Sequence, residues 1–249
     1  MIKDKRILIT GATSGIGLAL CEYLLKEKCK VIAVGRDEDK IKNLKSADFL
    51  FVKLDLNDFS EYNSIFDRAL NGEKFDGFVH CAGIEETMPI TLYTPKNIEK
   101  IFNINVFSGI ELLRFFSKRK YSNDGSSVVF ISSVMGELGQ LGKIGYCSTK
   151  AAILGVVKAS ALELAKRKFR VNAISPGVVN TPMTKKLFSQ IEENNIEKIK
   201  SMHPLGIGDV DDVIPLLTFL LSDGSKWITG QNINYRWRIL NTIKIFFIC

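Results

Sequence analysis

The sequence has no long hydrophobic run, and this absence excludes a class of protein. No apolar stretch reaches the roughly 18 residues that a membrane-spanning helix needs. The first residues lead directly into an apolar strand, without the apolar core and small-residue cleavage site of a secretory signal. We therefore expect a cytoplasmic protein with no membrane partner.

Cysteine and clustered charge are also scarce. The five cysteines are odd in number and scattered, and no two have the spacing of zinc ligands. We therefore expect a reducing compartment, with neither a disulfide framework nor a metal site. The formal net charge of +7 comes from dispersed basic residues with only short clusters. Nucleic-acid binding is therefore not expected, and an anionic small-molecule ligand accounts for the charge more simply.

Short apolar runs alternate with stretches of helical spacing along the chain. The predicted strands are residues 7–10, 31–34, 49–52 continuing to 56, 77–80, 128–131 and 171–174, and the predicted helices include 15–28 and 144–168. Alternating strands and helices predict a single doubly wound α/β domain of the Rossmann type, whose mostly parallel sheet of about seven strands carries helices on both faces.

Polar or small residues stand at the ends of these predicted strands. In a doubly wound sheet, ligands bind beyond the carboxyl ends of the strands. We therefore expect one crevice where the strand-end residues converge. These residues are Thr10, Asp55, Cys81, Ser133 and Ser175.

A glycine-rich turn, residues 10–17 with the sequence TGATSGIG, joins the first strand to the first helix. Glycines let the backbone approach a pyrophosphate, and the helix N-terminus supplies amide donors, so the turn predicts dinucleotide binding. At the end of the second strand, Gly35 and Arg36 stand where an NAD enzyme places an acid. A guanidinium suits a 2′-phosphate, although Asp37 follows, and we expect NADP(H) rather than NAD(H). The alternative is that Arg36 is an ordinary surface residue.

Tyr146 and Lys150 lie four residues apart, on one face of a predicted helix, and Ser133 lies thirteen residues before Tyr146. A phenol ionises near about pH 10, and an ammonium one turn away favours the phenolate and lowers that pKa. The pattern predicts an acid/base pair that moves a proton to or from an alcohol or carbonyl oxygen. The alternative is an amphipathic helix that happens to carry both residues.

From residue 5 to about residue 234, the chain resembles the short-chain dehydrogenase/reductase family, in its single-domain branch of about 250 residues. The resemblance rests on several motifs in the family's order. They are the turn 10–17, Asp55 in LDL, Asn105 in NINV, Ser133 in ISS, Tyr146 with Lys150, and Ser175-Pro176-Gly177 followed by Thr181.

The resemblance implies an NAD(P)-dependent carbonyl reductase or alcohol dehydrogenase that forms a dimer or tetramer. It implies Tyr146 as the acid/base, Lys150 as the group that lowers its pKa and binds the nicotinamide ribose, and Ser133 as the residue that orients the substrate. Asn105 would hold a water that links Lys150 to solvent. The implied cofactor-binding residues are Gly11, Thr13, Ser14, Gly15, Ile16, Gly17, Arg36, Asp55, Leu56, Cys81, Ala82, Gly83, Tyr146, Lys150, Pro176, Gly177, Val179 and Thr181.

The resemblance leaves the substrate open. The family's best-known members reduce 3-oxoacyl groups on acyl carrier protein, and others act on sugars, steroids or polyols, so a small carbonyl or alcohol, free or carrier-linked, is expected. Residues 183–206 occupy the position of the family's substrate lid, and the glycine-rich loop 136–145 forms another pocket wall. Two other functions stay open: a catalytically silent dinucleotide-binding sensor or scaffold, and an enzyme impaired by its C-terminus.

The chain departs from the family pattern at Cys81, where the family usually has asparagine before Ala82-Gly83. That asparagine would bridge neighbouring strand backbones, and a thiol is only a weak donor. We interpret Cys81 as a small buried hydrophobic residue, with a redox switch as the alternative.

The second departure divides the chain into a predicted domain, 1–234, and an atypical tail, 235–249. The family continues with Val/Ile-Asp-Gly-Gly after the last strand, whereas residues 235–239 here read YRWRI. These five residues can be encoded by TAT-AGA-TGG-AGG-ATA, and the same bases read one position later give Ile-Asp-Gly-Gly. We hypothesise that the tail is an out-of-frame translation. The alternative is a genuine apolar tail that contacts another subunit or a membrane surface.

Sequencing the 3′ end of the gene tests the frameshift hypothesis. The hypothesis expects codons for residues 235–239 that encode Ile-Asp-Gly-Gly when read one base later. Codons that cannot encode this motif in a shifted frame would rule it out.

Overall fold

The computed structural model describes residues 2–235, with Tyr235 described by its backbone alone. Residues 236–249 of the predicted atypical tail lie outside the described residues. The strands are β1 (Arg6–Thr10), β2 (Lys30–Gly35), β3 (Phe49–Lys53), β4 (Phe75–His80), β5 (Ser122–Ile131), β6 (Arg170–Pro176) and β7 (Asn232–Tyr235). The helices are α1 (Gly15–Lys26), α2 (Tyr62–Leu70), α3 (Pro95–Phe102), α4 (Ser108–Phe116), α5 (Ile144–Glu163), α6 (Pro182–Phe188), α7 (Glu193–Ser201) and α8 (Val210–Leu221).

The strands form one seven-stranded parallel sheet in the order β3-β2-β1-β4-β5-β6-β7. The strand order reverses between β1 and β4, so crossovers on the two sides of this point run in opposite directions. This sheet confirms the predicted doubly wound α/β fold. Within residues 2–235, no helix has the length and apolarity needed to cross a membrane.

Alternate residues of the central strands enter two separate apolar layers. Leu8 of β1 packs into the layer formed with α2, α4 and α5, whereas Ile7 and Ile9 pack into the layer formed with α1 and α8. All five residues of β1 are buried. A strand covered on both faces needs apolar residues at successive positions, which is why its sequence reads as a continuous apolar run.

Three predicted element ends are wrong. The strand predicted to continue to residue 56 ends at Lys53, the residue paired with Gly35 at the end of β2, and the chain then turns through a bond from the Asp58 amide to the Asp55 carbonyl. The predicted helices 15–28 and 144–168 end at residues 26 and 163. Lys28 and Lys168 have φ values of 61° and 56°, so the left-handed backbone that follows each helix end does not continue a right-handed helix.

Two buried arginines fix helix C-termini to the edge of the sheet opposite the strands' carboxyl ends. Arg6 of β1 donates to the carbonyls of Ala69 and Leu70 at the end of α2. Arg170 of β6 donates to the Leu220 carbonyl of α8 at 2.6 Å. The last carbonyls of a helix lack hydrogen-bond partners within the helix and form the negative end of its dipole. A guanidinium therefore stabilises them by hydrogen bonding and by its positive charge. These contacts anchor the helices and leave the other edge free to form a site.

Candidate active site

A cavity of about 250 Å³ lies beyond the carboxyl ends of β1, β4, β5 and β6. Most of the predicted site residues line it. They are Gly11, Ser14, Gly15, Ile16, Gly17, Cys81, Ala82, Gly83, Ser133, Tyr146, Lys150, Pro176, Gly177, Val179 and Thr181. In the part of the chain that the structure describes, no group of three His, Cys, Asp or Glu side chains is arranged to hold a metal ion.

Five predicted site residues do not line this cavity. Asn105 is fully buried and Leu56 belongs to the core, whereas Arg36 and Asp55 are exposed and Thr13 packs its methyl group toward Gly35. Asp55 instead binds its own loop, because its Oδ1 accepts from the amide of Asn57 at 3.0 Å.

The expected convergence of strand-end residues is therefore only partly correct. Cys81 and Ser133 line the cavity, but Thr10, Asp55 and Ser175 do not. Thr10 and Ser175 are fully buried, and Ser175 Oγ donates to Asn232 Oδ1 of β7 at 2.8 Å. Their side chains hold neighbouring strands together below the cavity.

The glycine-rich turn lies against the segment that follows β4. Gly11 has φ +65°, and a Cβ there would lie 2.7 Å from the Ala82 amide nitrogen, so this close approach requires glycine. Helix α1 begins at Gly15 and has no acidic residue in its first turn. Its free amide groups and positive dipole end therefore lie at the cavity wall, where they favour an anion such as a phosphate.

A threonine and a histidine connect the turn to β4. Thr10 Oγ1 lies 2.9 Å from His80 Nδ1 and accepts from the Ala82 amide at 3.3 Å. Burial, together with the charge of Lys150, lowers the pKa of His80 to about 3, so the imidazole is neutral. This neutral pair bridges β1 and β4 beside Cys81, the position at which the chain departs from the family pattern.

Burial raises the pKa of the Cys81 thiol to about 12, against a smaller opposing influence of Lys150. A thiol that stays protonated is a poor nucleophile and oxidises slowly. Cys81 also packs against the apolar layer under α1 and α8. These properties fit the interpretation of Cys81 as a small hydrophobic residue better than a redox switch.

Two reciprocal hydrogen bonds join β5 to α5 around the predicted catalytic residues. Lys150 Nζ donates to the Ile131 carbonyl at 2.8 Å, and Ser132 Oγ donates to the Lys150 carbonyl at 2.8 Å. A Cβ on Gly136 would lie 2.9 Å from that same carbonyl carbon, so the turn after Ser133 packs directly on the helix backbone. These contacts fix Ser133 relative to the helix that carries Tyr146.

The structure gives a different pKa for Tyr146 from the one that the sequence predicts. Burial raises it to about 12, while a hydrogen bond with Ser133 acts in the opposite direction and the charge of Glu85 raises it further. Lys150 Nζ lies 5.5 Å from the centroid of the Tyr146 ring, and burial lowers the pKa of Lys150 to about 8. Desolvation outweighs the bond with Ser133, so the predicted lowering of the phenol pKa is wrong, and Tyr146 is protonated at neutral pH.

Asn105 lies behind the cavity, in a π-helical turn (Asn103–Phe107) between α3 and α4. Its Oδ1 accepts from the Ile84 amide at 2.8 Å, and its Nδ2 donates to Thr149 Oγ1 at 3.0 Å. Asn105 therefore ties the segment after Gly83 to the helical turn between Tyr146 and Lys150. Its predicted role in holding a water stays a prediction.

Sequence reasoning missed two charged residues of the cavity wall. Glu85 and Lys143 both line the cavity and form an ion pair whose side chains are only 13% and 5% exposed. Lys143 stands three residues before Tyr146, at the N-cap of α5. That spacing was the available signal, but nothing in the sequence links Lys143 to a residue 58 positions away.

Comparisons with known proteins identify the family of this chain. The family model described as short chain dehydrogenase matches residues 5–192. The chain is 33% identical over 238 residues to the 3-oxoacyl-(acyl-carrier-protein) reductase FabG of Rickettsia prowazekii, an alignment that covers 94% of this chain and 95% of that protein.

Solved structures show the same similarity in three dimensions. A 4-hydroxyisoleucine dehydrogenase complexed with NADH is 30% identical with a TM-score of 0.86, and the match covers 93% of this chain and 97% of the other. ElxO with NADP bound is 28% identical with a TM-score of 0.81, over 93% of this chain and 96% of the other. These neighbours hold different nicotinamide dinucleotides, so the similarity alone does not select between NAD and NADP.

Proposed function

This chain belongs to the short-chain dehydrogenase family of NAD(P)-dependent oxidoreductases, and from that premise we propose that it transfers a hydride between NADP(H) and a carbonyl or secondary alcohol. The observation that carries the proposal is the presence of Ser133, Tyr146 and Lys150 in the wall of the same cavity as the glycine-rich turn. A proton donor therefore lies in the same cavity as an anion-binding helix start.

The residues around the cavity fit a nicotinamide dinucleotide. The turn 11–17 and the start of α1 suit its pyrophosphate, because they offer amide donors with no neighbouring acid. The segment from Pro176 to Thr181 reaches the turn, since Thr181 Cγ2 would lie 3.4 Å from a Cβ on Gly15. When bound, NADP(H) supplies or accepts the hydride.

Tyr146 is the proton donor in the direction of reduction. Neutral pH lies well below its pKa of about 12, so the phenol is protonated, which is the form that can give a proton to the oxygen of a reacting carbonyl. Ser133 Oγ, held by the turn that packs on α5, orients that oxygen through a second hydrogen bond. Oxidation of an alcohol uses the same groups in reverse.

Lys150 supplies positive charge next to the phenol. With a pKa of about 8, its ammonium is mostly charged at neutral pH. A positive charge near the ring favours the phenolate that remains after Tyr146 has given up its proton. The bond to the Ile131 carbonyl holds the ammonium in this position.

The preference for NADP(H) rests on the residues that follow β2. Arg36 is exposed at the end of this strand, where its guanidinium is free to meet a 2′-phosphate. Asp37, which would oppose that phosphate, lies 3.5 Å from Lys40 Nζ in an ion pair. The counter-charge weakens the repulsion and leaves Arg36 to set the preference.

The names of the relatives suggest 3-oxoacyl groups on a carrier protein as the first substrates to test. Helix α6 supplies Met183, Thr184 and Leu187 to the cavity wall, which supports a lid role for residues 183–206. The homo-oligomer, the cytoplasmic location and the domain boundary at residue 234 stay predictions.

Replacing Tyr146 with phenylalanine removes the proposed proton donor with little change in shape. We expect Tyr146→Phe to lower kcat/KM for NADPH-dependent ketone reduction by about 10²- to 10⁴-fold, with NADPH binding retained. Tyr121→Phe is the matched control, because Tyr121 donates to Asp67 outside the cavity wall. Near-normal ketone reduction by Tyr146→Phe would contradict the assignment of Tyr146 as the proton donor. NADPH binding without turnover of any ketone by the wild type would favour the dinucleotide sensor instead.

Replacing Arg36 with alanine tests the cofactor preference. We expect Arg36→Ala to weaken NADPH binding by about 10-fold or more while NADH binding changes little, because only NADPH carries the 2′-phosphate. Titration calorimetry with both dinucleotides measures the effect, and Arg68→Ala, which removes another exposed arginine on α2, is the control. An equal loss of affinity for the two dinucleotides would contradict the assignment.

A further inference from the structure

The ion pair between Lys143 and Glu85 lies next to the proposed proton donor. Lys143 is the N-cap residue of α5, three residues before Tyr146, and Glu85 follows the segment Cys81–Gly83 that lines the cavity. The negative charge of Glu85 contributes to the raised pKa of Tyr146, so the carboxylate is close enough to act on the phenol. The pair therefore borders the space where a substrate carbonyl would meet Tyr146.

Holding the two loops together does not require this pair. The loop after β4 and the loop before α5 are already joined by a backbone bond from the Met88 amide to the Gly142 carbonyl at 2.8 Å. Removing two charges from water costs more than their attraction returns unless other polar partners complete their bonding. The adjacent Glu86 pairs with Lys100, whose side chain is 58% exposed, and neither residue of that pair lines the cavity.

Both members of the buried pair have hydrogen-bonding capacity left. Among residues 2–235, the Lys143 ammonium donates only to Glu85, although it carries three N–H groups. Glu85 Oε1 accepts from Lys143 and from Thr87 Oγ1, the latter at 2.7 Å, and its Oε2 accepts from no residue that the structure describes. A donor and an acceptor thus stand side by side at the cavity wall.

This arrangement selects the chemistry of the group that can bind it. A hydroxyl both donates and accepts, so it can bond Glu85 and Lys143 at once. An anionic group would meet the charge of Glu85, and a cationic group that of Lys143. An alkyl group would displace water from both charges and replace none of its bonds, which is how polar sites reject apolar analogues.

We propose that Lys143 and Glu85 form a subsite that binds a hydroxyl group of the substrate close to the reacting carbon. This inference rests on the proposed function and names its substrate class: hydroxy ketones and the corresponding diols are preferred over plain alkyl ketones. Tyr146 and Ser133 act on the carbonyl oxygen, and the Lys143–Glu85 subsite fixes the neighbouring hydroxyl.

Two pairs of ketones test the subsite, since the members of each differ only by a methyl group in place of a hydroxyl. They are hydroxyacetone with 2-butanone, and 4-hydroxy-2-butanone with 2-pentanone. With NADPH and the full-length enzyme, we expect kcat/KM to favour the hydroxy ketone by about 10- to 100-fold in at least one pair. Glu85→Gln and Lys143→Met should each reduce that ratio to about 3-fold or less. Lys100→Met should leave it unchanged, because Lys100 belongs to the neighbouring pair outside the cavity wall.

Each outcome decides between the alternatives. A wild-type ratio near one in both pairs overturns the subsite and leaves the proposed function standing, and this result needs no variant to fold. A variant that lowers the melting temperature but keeps the ratio shows a purely structural ion pair, which also overturns the subsite. The subsite is also overturned if a thioester of 3-oxobutanoate is the best substrate and wild type and variants reduce it equally well. If no ketone and no thioester is reduced, the proposed function and the subsite both fail.

Discussion

Lys150 holds a charged ammonium group in the interior of the protein, and the geometry of the site depends on the contacts of this one residue. Its Nζ donates to the Ile131 carbonyl of β5, and its own carbonyl accepts from Ser132 Oγ. The two bonds run in opposite directions between strand and helix, so they fix both separation and register. Ser133 and Tyr146, which belong to different elements, acquire their relative position from this contact.

The same burial shifts the pKa values of its neighbours. Desolvation lowers the pKa of Lys150 and of His80 and raises those of Tyr146 and Cys81. The site at neutral pH contains a neutral imidazole, a protonated thiol and a protonated phenol around the Lys150 ammonium. In such a site the phenol can give its proton to a substrate, and the positive charge of Lys150 lies next to the phenolate that would form.

Much of the fold and part of the site could be predicted from the sequence. An apolar run predicted β1, because a strand buried on both faces has apolar residues at successive positions. The spacing of Tyr146 and Lys150 is likewise visible within a few residues of the sequence. The ends of β3 and α5 were missed, since pairing with β2 and the left-handed turn at Lys168 set them. The Lys143–Glu85 pair and the direction of the Tyr146 pKa depend on burial between distant segments, which a single sequence does not encode locally.

The fold buries Lys150 at a cost in stability and thereby places its charge beside Tyr146. The folded-state pKa of about 8 lies below the unfolded value of 10.5, so the charge opposes folding fully below pH 8, by about 3 kcal/mol, and this penalty fades as the pH rises toward 10.5. The direct measurement is the pH dependence of the free energy of unfolding of Lys150→Met, with the exposed Lys158→Met on the same helix as control. We expect the free energy of unfolding of Lys150→Met to exceed that of the wild type at neutral pH. By about pH 10 this advantage should be lost, because the wild-type lysine is then largely neutral and the variant still lacks the bond to the Ile131 carbonyl. A variant that is less stable than the wild type by the same amount at both pH values would show that the buried charge does not oppose folding.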